Sequence, residues 1–145
     1  MSLRPRSLLL VLLLSAGSAW AQSMPQVDVF KSASCGCCGQ WVAHMRQAGF
    51  VVKTHDVDDV PASRKKLGMP ERYGACHSAK VGNYLIEGHV PAADVKRLLA
   101  EKPQAIGIAV PSMPPGSPGM ESKNPIRYST LLIAKNGGST VFAQH

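Results

Sequence analysis

Three cysteines fill four consecutive positions in Ser34-Cys35-Gly36-Cys37-Cys38-Gly39, and that density limits what the chain can build there. Bridged cysteines hold their Cα atoms roughly 4.4–6.8 Å apart, whereas the peptide unit holds neighbours such as Cys37 and Cys38 about 3.8 Å apart. A Cys35–Cys37 bond closes a strained small ring. Only Cys35–Cys38, or a bond from one of the three to distant Cys76, is comfortable. At least one thiol of the cluster is therefore left over or bound to something other than sulfur.

The surrounding pattern places the cluster. Val27-Asp28-Val29-Phe30 alternates apolar and polar residues and predicts a strand ending near Lys31. From Gly39 the spacing turns helical, with Trp41, Met45 and Ala48 on one face and Gly49 where a C-terminal cap is expected. Phe50 to Val57 reads as a second strand, parallel to the first through the intervening helix. Asp58 to Ser63 opens a short helix that runs through Leu67 and stops at Gly68 and Pro70. Ser78–Val81 and Tyr84–Glu87 flank a Gly82-Asn83 turn, and a third helix begins at Pro91 and runs to about Lys102. The order β-α-β-α-β-β-α is that of a thioredoxin-like α/β core. Gly107 to Pro125, with five prolines and three glycines, reads as a long irregular loop. Tyr128–Ile133 and Thr140–Ala143 around Asn136-Gly137-Gly138 form a closing β-hairpin.

The first 21 residues carry Arg4 and Arg6, an apolar run from Leu8 to Leu14 and a small-residue stretch ending Ala19-Trp20-Ala21. This reads as a cleaved secretory signal peptide; the run is too short to span a bilayer, so no membrane anchor is expected to remain. The mature chain, residues 22–145, is long enough for one domain and is expected in an oxidising space, the periplasm. The formal charge of +7 falls to +5 when Arg4 and Arg6 leave. The remaining basic residues are scattered with few aromatics among them, which argues against a nucleic-acid surface.

In a thioredoxin-like sheet the C-terminal end of the first strand, the N-terminal end of the third and the C-terminal end of the fourth lie on one edge. Cys35, Cys37 and Cys38 fall at the first, Cys76-His77 at the second and His89 at the third. The helix N-terminus beside the cluster favours thiolate, and thiolates are both nucleophiles and metal ligands. Four cysteines, with Met113 and Met120 in the irregular loop, make a sulfur-dominated donor set suited to Cu(I). Adjacent Cys37-Cys38 is poor geometry for two ligands of one tetrahedral zinc ion and more natural where thiolates bridge several ions. His77 and His145 are weaker candidates, His44 and His55 read as surface residues, and Met45 as packing.

The chain resembles the CopG-type copper-resistance proteins. The resemblance rests on Cys35-Gly36-Cys37-Cys38-Gly39 with Trp41-Val42, on Ala75-Cys76-His77, on Glu87-Gly88-His89-Val90-Pro91-Ala92, and on Val110-Pro111-Ser112-Met113-Pro114 with Gly116-Ser117-Pro118-Gly119-Met120-Glu121. It implies a thioredoxin-like fold, export, and several Cu(I) ions held in a polynuclear thiolate cluster by Cys35, Cys37, Cys38 and Cys76, with Met113, Met120 and His89 as further ligands. It further implies a part in resistance to copper, with silver as the related soft ion, and contact with other periplasmic copper-handling proteins. A Cu(I)/Cu(II) redox role is a subsidiary reading. The alternative is a thiol–disulfide oxidoreductase with Cys35 attacking and Cys38 resolving. Against it, such enzymes carry a cis-proline just before the third strand, where this chain has Ala75-Cys76-His77.

Overall fold

The computed structural model describes residues 24–145, so the signal-peptide reading lies outside the described residues. The chain runs β1 (Val27–Lys31), α1 (Gly36–Gln47), β2 (Val52–Asp56), α2 (Val60–Leu67), a single 3₁₀ turn (Glu71–Tyr73), β3 (His77–Val81), β4 (Tyr84–Gly88), α3 (Ala92–Glu101), β5 (Ala105–Val110), β6 (Ser129–Ala134) and β7 (Ser139–Gln144). It is a mixed α/β fold. The seven strands form one sheet in the order β2-β1-β3-β4-β5-β6-β7. β1 pairs parallel with β2 and antiparallel with β3, β3 pairs antiparallel with β4, and β4 runs parallel with β5 after the α3 crossover.

Alternation along the strands sorts the apolar residues onto two faces. Val27, Val29, Ala79, Val81, Ile86 and Ile108 join Trp41, Val42 and Met45 of α1 and Val95 and Leu98 of α3 in the main core. On the other face Leu85, Ala109 and Ile133 pack with Met69 and Tyr73, and Leu67 at the end of α2 leans on them. Fully burying Trp41, Met45 and Leu98 contributes about 1.5–3 kcal/mol each, which fixes α1 and α3 against the sheet. α1 ends in a Schellman arrangement: Gly49, at φ +95°, donates to the Arg46 carbonyl and Phe50 donates to that of Met45. α2 is capped by Asp59, whose carboxylate accepts from the Ala62 N–H at 2.8 Å, and is stopped by Gly68 in the left-handed conformation.

The one misread element is β5. Residues 107–110 fall inside the stretch read as irregular, yet they complete a buried strand. Gly107, which looked like a loop signal, sits at a register shift between Ala105 and Gly107 where a Cβ would fall on the Leu85 carbonyl. It is a bulge glycine demanded by close approach of two backbones, not a break. The irregular segment is therefore 111–128, between β5 and the terminal hairpin, and that hairpin extends the same sheet. No helix among the described residues is long and apolar enough to cross a membrane.

Candidate metal centre

Strand pairing brings three distant segments to one edge. Lys31 at the end of β1 faces His77 at the start of β3, and Ser78 faces Glu87 near the end of β4. Beyond those pairs lie Cys35–Cys38, Cys76 and His89. Cys35 is the N-cap of α1, so Cys37 and Cys38 occupy its first turn, where the backbone N–H groups lack intrahelical acceptors and favour negative charge.

The sulfurs converge. Cys35 and Cys38 are joined in a disulfide, with Cα atoms 5.3 Å apart, while Cys37 and Cys76 are free. The Cys37 sulfur lies 3.6 Å from that of Cys35 and 3.8 Å from that of Cys76. The Cys38 sulfur lies 3.6 Å from the Cys76 carbonyl. All four sulfurs fall within 4.8 Å of one another, and so do the donor atoms of Cys76, His77 and His89. Two sulfurs bound tetrahedrally to one ion at about 2.3 Å are about 3.8 Å apart, so the Cys37–Cys76 spacing fits a shared soft ion. The full set of four thiols requires reduction of Cys35–Cys38, which consumes two electrons and two protons.

The histidines complete the arrangement. His89 is buried; its Nδ1 donates to the Pro118 carbonyl at 2.8 Å, which fixes the tautomer and turns the Nε2 lone pair toward the Cys76 sulfur at 2.9 Å. A carbonyl holding the far nitrogen is the usual means of orienting a metal-binding imidazole. His77 is fully buried, with Nδ1 3.3 Å from the same sulfur and Nε2 without a hydrogen-bond partner among the described residues. Its ring lies 4.5 Å from that of Trp41 and 5.1 Å from that of His89. Trp41 in turn donates its indole N–H to the Val90 carbonyl at 2.8 Å, tying α1 to the turn after His89.

Burial sets the protonation states. Desolvation, with the neighbouring Cys37 second, pushes the Cys76 thiol up to about 12, opposite to the depressed thiol expected at a helix N-terminus. Cys76 faces the helix rather than belonging to it. Desolvation, then His89, pushes His77 down to about 3, and desolvation also lowers His89. At neutral pH the site therefore holds neutral imidazoles and a Cys76 S–H that donates to His89.

The irregular segment closes over this edge. Besides the Pro118 carbonyl on His89, Gly119, at φ +84°, lies so close to α1 that a Cβ there would come 2.8 Å from both the Cys37 carbonyl and the Trp41 nitrogen. Met120 follows it, partly buried, whereas Met113 is 45% exposed. His145 is engaged by Asp94 of α3 at 2.8 Å, and His55 pairs with Asp28. His44, expected at the surface, is half-buried, its Nε2 accepting the Ala92 N–H at the start of α3. Sequence reasoning underweighted His77, although its adjacency to Cys76 at a strand start was a visible signal. It missed Arg64 and Glu87 altogether, since charged residues on a helix and a strand read as solvated.

A family described as "Protein of unknown function, DUF411" matches residues 73–120, the span that holds Cys76, His77, His89, Met113 and Met120. No curated protein matches the chain. Two solved structures of copper resistance protein CopG, its forms 2 and 1, are each 38% identical to this chain, covering 84% of it and 98% of their own length, with TM-scores of 0.80 and 0.79.

Proposed function

The chain belongs to the CopG family of copper resistance proteins, and from that membership we propose that it is an exported, periplasmic copper-binding protein of thioredoxin-like fold that holds Cu(I) through clustered thiolates. The observation that carries the reading is the gathering of four cysteine sulfurs within 4.8 Å, with a tautomer-fixed histidine nitrogen beside them. Such a set is soft. Cys37 and Cys38, adjacent in the first turn of α1, cannot both serve one tetrahedral ion comfortably, so they face different ions and the thiolates bridge a polynuclear group. Reduction of Cys35–Cys38 by an external dithiol delivers two electrons and frees both thiols. Cys35, Cys37, Cys38 and Cys76 give up their protons on loading, and His89 offers the Nε2 lone pair. Met120, on the segment docked over α1, and Met113 on the same segment would supply thioethers.

A second reading is favoured by one observation, the Cys35–Cys38 disulfide itself: a thiol–disulfide oxidoreductase with that pair as its dithiol. In that case Cys76 is a bystander. Anaerobic titration of the reduced protein with Cu(I), against a tight chromophoric chelator, separates the two. More than one Cu(I) per chain, lost cooperatively in Cys76→Ser, is expected. One copper or none, with dithiol exchange on a protein substrate that survives Cys76→Ser, would overturn the copper reading.

A further inference from the structure

Next to the sulfurs lies a second buried cluster that neither functional reading uses. Arg64 of α2 is 2% exposed and Glu87 of β4 is fully buried. Arg64 Nε donates to Glu87 Oε1 at 2.7 Å, Nη2 to the Ala75 carbonyl at 2.6 Å and Nη1 to the exposed Glu71 at 2.7 Å. Glu87 Oε1 also accepts the Ala75 N–H at 2.8 Å, and Oε2 accepts the Ser78 hydroxyl at 2.6 Å. Both polar groups of the Ala75 backbone are thus held by this one ion pair.

The position of these bonds is informative. The β3–β4 ladder runs from Val81↔Tyr84 to Ser78↔Glu87. Past that rung, backbone pairing no longer holds the two segments together, and those segments deliver Cys76 and His89. Ala75 precedes Cys76 by one residue and Glu87 precedes His89 by two. Two glycines admit the clamp: a Cβ at Gly74 would sit 2.8 Å from Arg64 Nη1, and a Cβ at Gly88, at φ +72°, would come 2.6 Å from that of Ala75. A buried ion pair is by itself weak evidence of added stability, because well-packed apolar residues of similar volume often serve a core as well.

We propose that the Arg64–Glu87 pair is the positioning device of the metal centre, tying the Cys76 segment to the His89 segment beyond the end of the ladder and so setting the Cys76 Sγ to His89 Nε2 contact. The proposal rests on the metal-binding reading for its purpose but not for its geometry. A slack Ala75 segment lets Cys76 swing away from Cys37 and His89, and the soft-ion site loses a preorganised sulfur.

The test is the double variant Arg64→Met with Glu87→Leu, compared with Glu87→Gln, which keeps acceptors for Ala75 and Arg64. Two quantities are measured on the full mature chain: Cu(I) affinity by chelator competition, and iodoacetamide labelling of Cys76 in the reduced, metal-free protein, resolved by peptide mass. The double variant, which leaves the Ala75 backbone groups and the Ser78 hydroxyl without these partners, is expected to stay folded with a lowered melting temperature, to bind Cu(I) at least tenfold more weakly and to label at Cys76 at least tenfold faster, with Glu87→Gln within threefold of wild type on both. Wild-type labelling and affinity in a folded double variant overturn the proposal. Should the double variant fail to fold, Ser78→Ala decides: a rise of threefold or more in Cys76 labelling supports it and an unchanged rate overturns it. Labelling needs no copper, so a wild-type protein that binds none would sink the functional reading and leave this result standing.

Discussion

His89 and Cys76 form a pair whose chemistry is set by what surrounds each. The Pro118 carbonyl accepts from the His89 Nδ1–H, so Nε2 is left to accept from the Cys76 thiol and, once the thiol proton departs, to bind a soft ion. His89→Ala keeps all four thiols yet removes a nitrogen ligand, and it is expected to lower Cu(I) affinity by about 10-fold or more, at least the cost of losing a ligand's outer partner, as read by chelator competition. An unchanged affinity would place His89 outside the ligand set. Cys76 gives a second measurement. With its thiol pushed up to about 12 by burial first and Cys37 second, its alkylation rate in the metal-free protein should still be climbing at pH 10. An unperturbed cysteine, with a pKa of about 8.5, has nearly levelled off by then. A plateau near pH 9 would contradict the half-buried, neutral thiol described above.

Among the elements, the segment from 111 to 128 departs furthest from the expectation raised by its prolines. It is irregular but not loose: Gly116 donates to the Met120 carbonyl, Met120 to that of Ser117, and Ile126 to that of Pro115, giving it a backbone framework of its own. Gly119 is where it meets α1. Gly119→Ala puts a side chain on a left-handed residue and drives it against the Cys37 carbonyl and the Trp41 nitrogen. The strain is expected to cost about 1–3 kcal/mol, within the range of an unfavourable glycine substitution plus overpacking. Because Pro118 belongs to the same turn, the His89 tautomer is released with it. Faster proteolysis within residues 111–128 and altered Trp41 fluorescence should accompany the loss, and proteolysis at the wild-type rate would show that the segment does not depend on that contact.

For the whole molecule, the consequence is a stability that depends on pH. His77 is held neutral in the folded state, pushed down to about 3 from 6.5 by burial and then by His89, so its contribution is fully present above about pH 6.5 and is lost as pH falls toward 3. His44 and His89 are lowered in the same sense, each chiefly by desolvation, whereas burial of Glu87 raises its carboxyl and works the other way. From pH 7.5 to 5, the metal-free protein should lose about 2 kcal/mol through His77 alone, at about 1.4 kcal/mol per pH unit below 6.5, in urea unfolding. His77→Gln should flatten that slope; an equally steep slope in the variant would place the titration elsewhere. What the sequence by itself determined is local. Val27-Asp28-Val29-Phe30, the helix opening at Asp58–Ser63 and its stop at Gly68, the Gly82-Asn83 turn and the 3.6-residue spacing of Trp41 and Met45 each declare an element within a few residues. Covalent geometry alone leaves at least one thiol of the Cys35–Cys38 cluster without a partner inside it. Only the tertiary structure decided that Gly107 is a bulge inside β5, that His77 is buried and His44 half-buried, and that Arg64 and Glu87 meet. Each of these depends on partners more than 10 residues away, Leu85 for Gly107, Trp41 for His77, Ala92 for His44, Glu87 for Arg64. Burial and pairing are properties of what packs against a residue, and no window of sequence around it contains that neighbour.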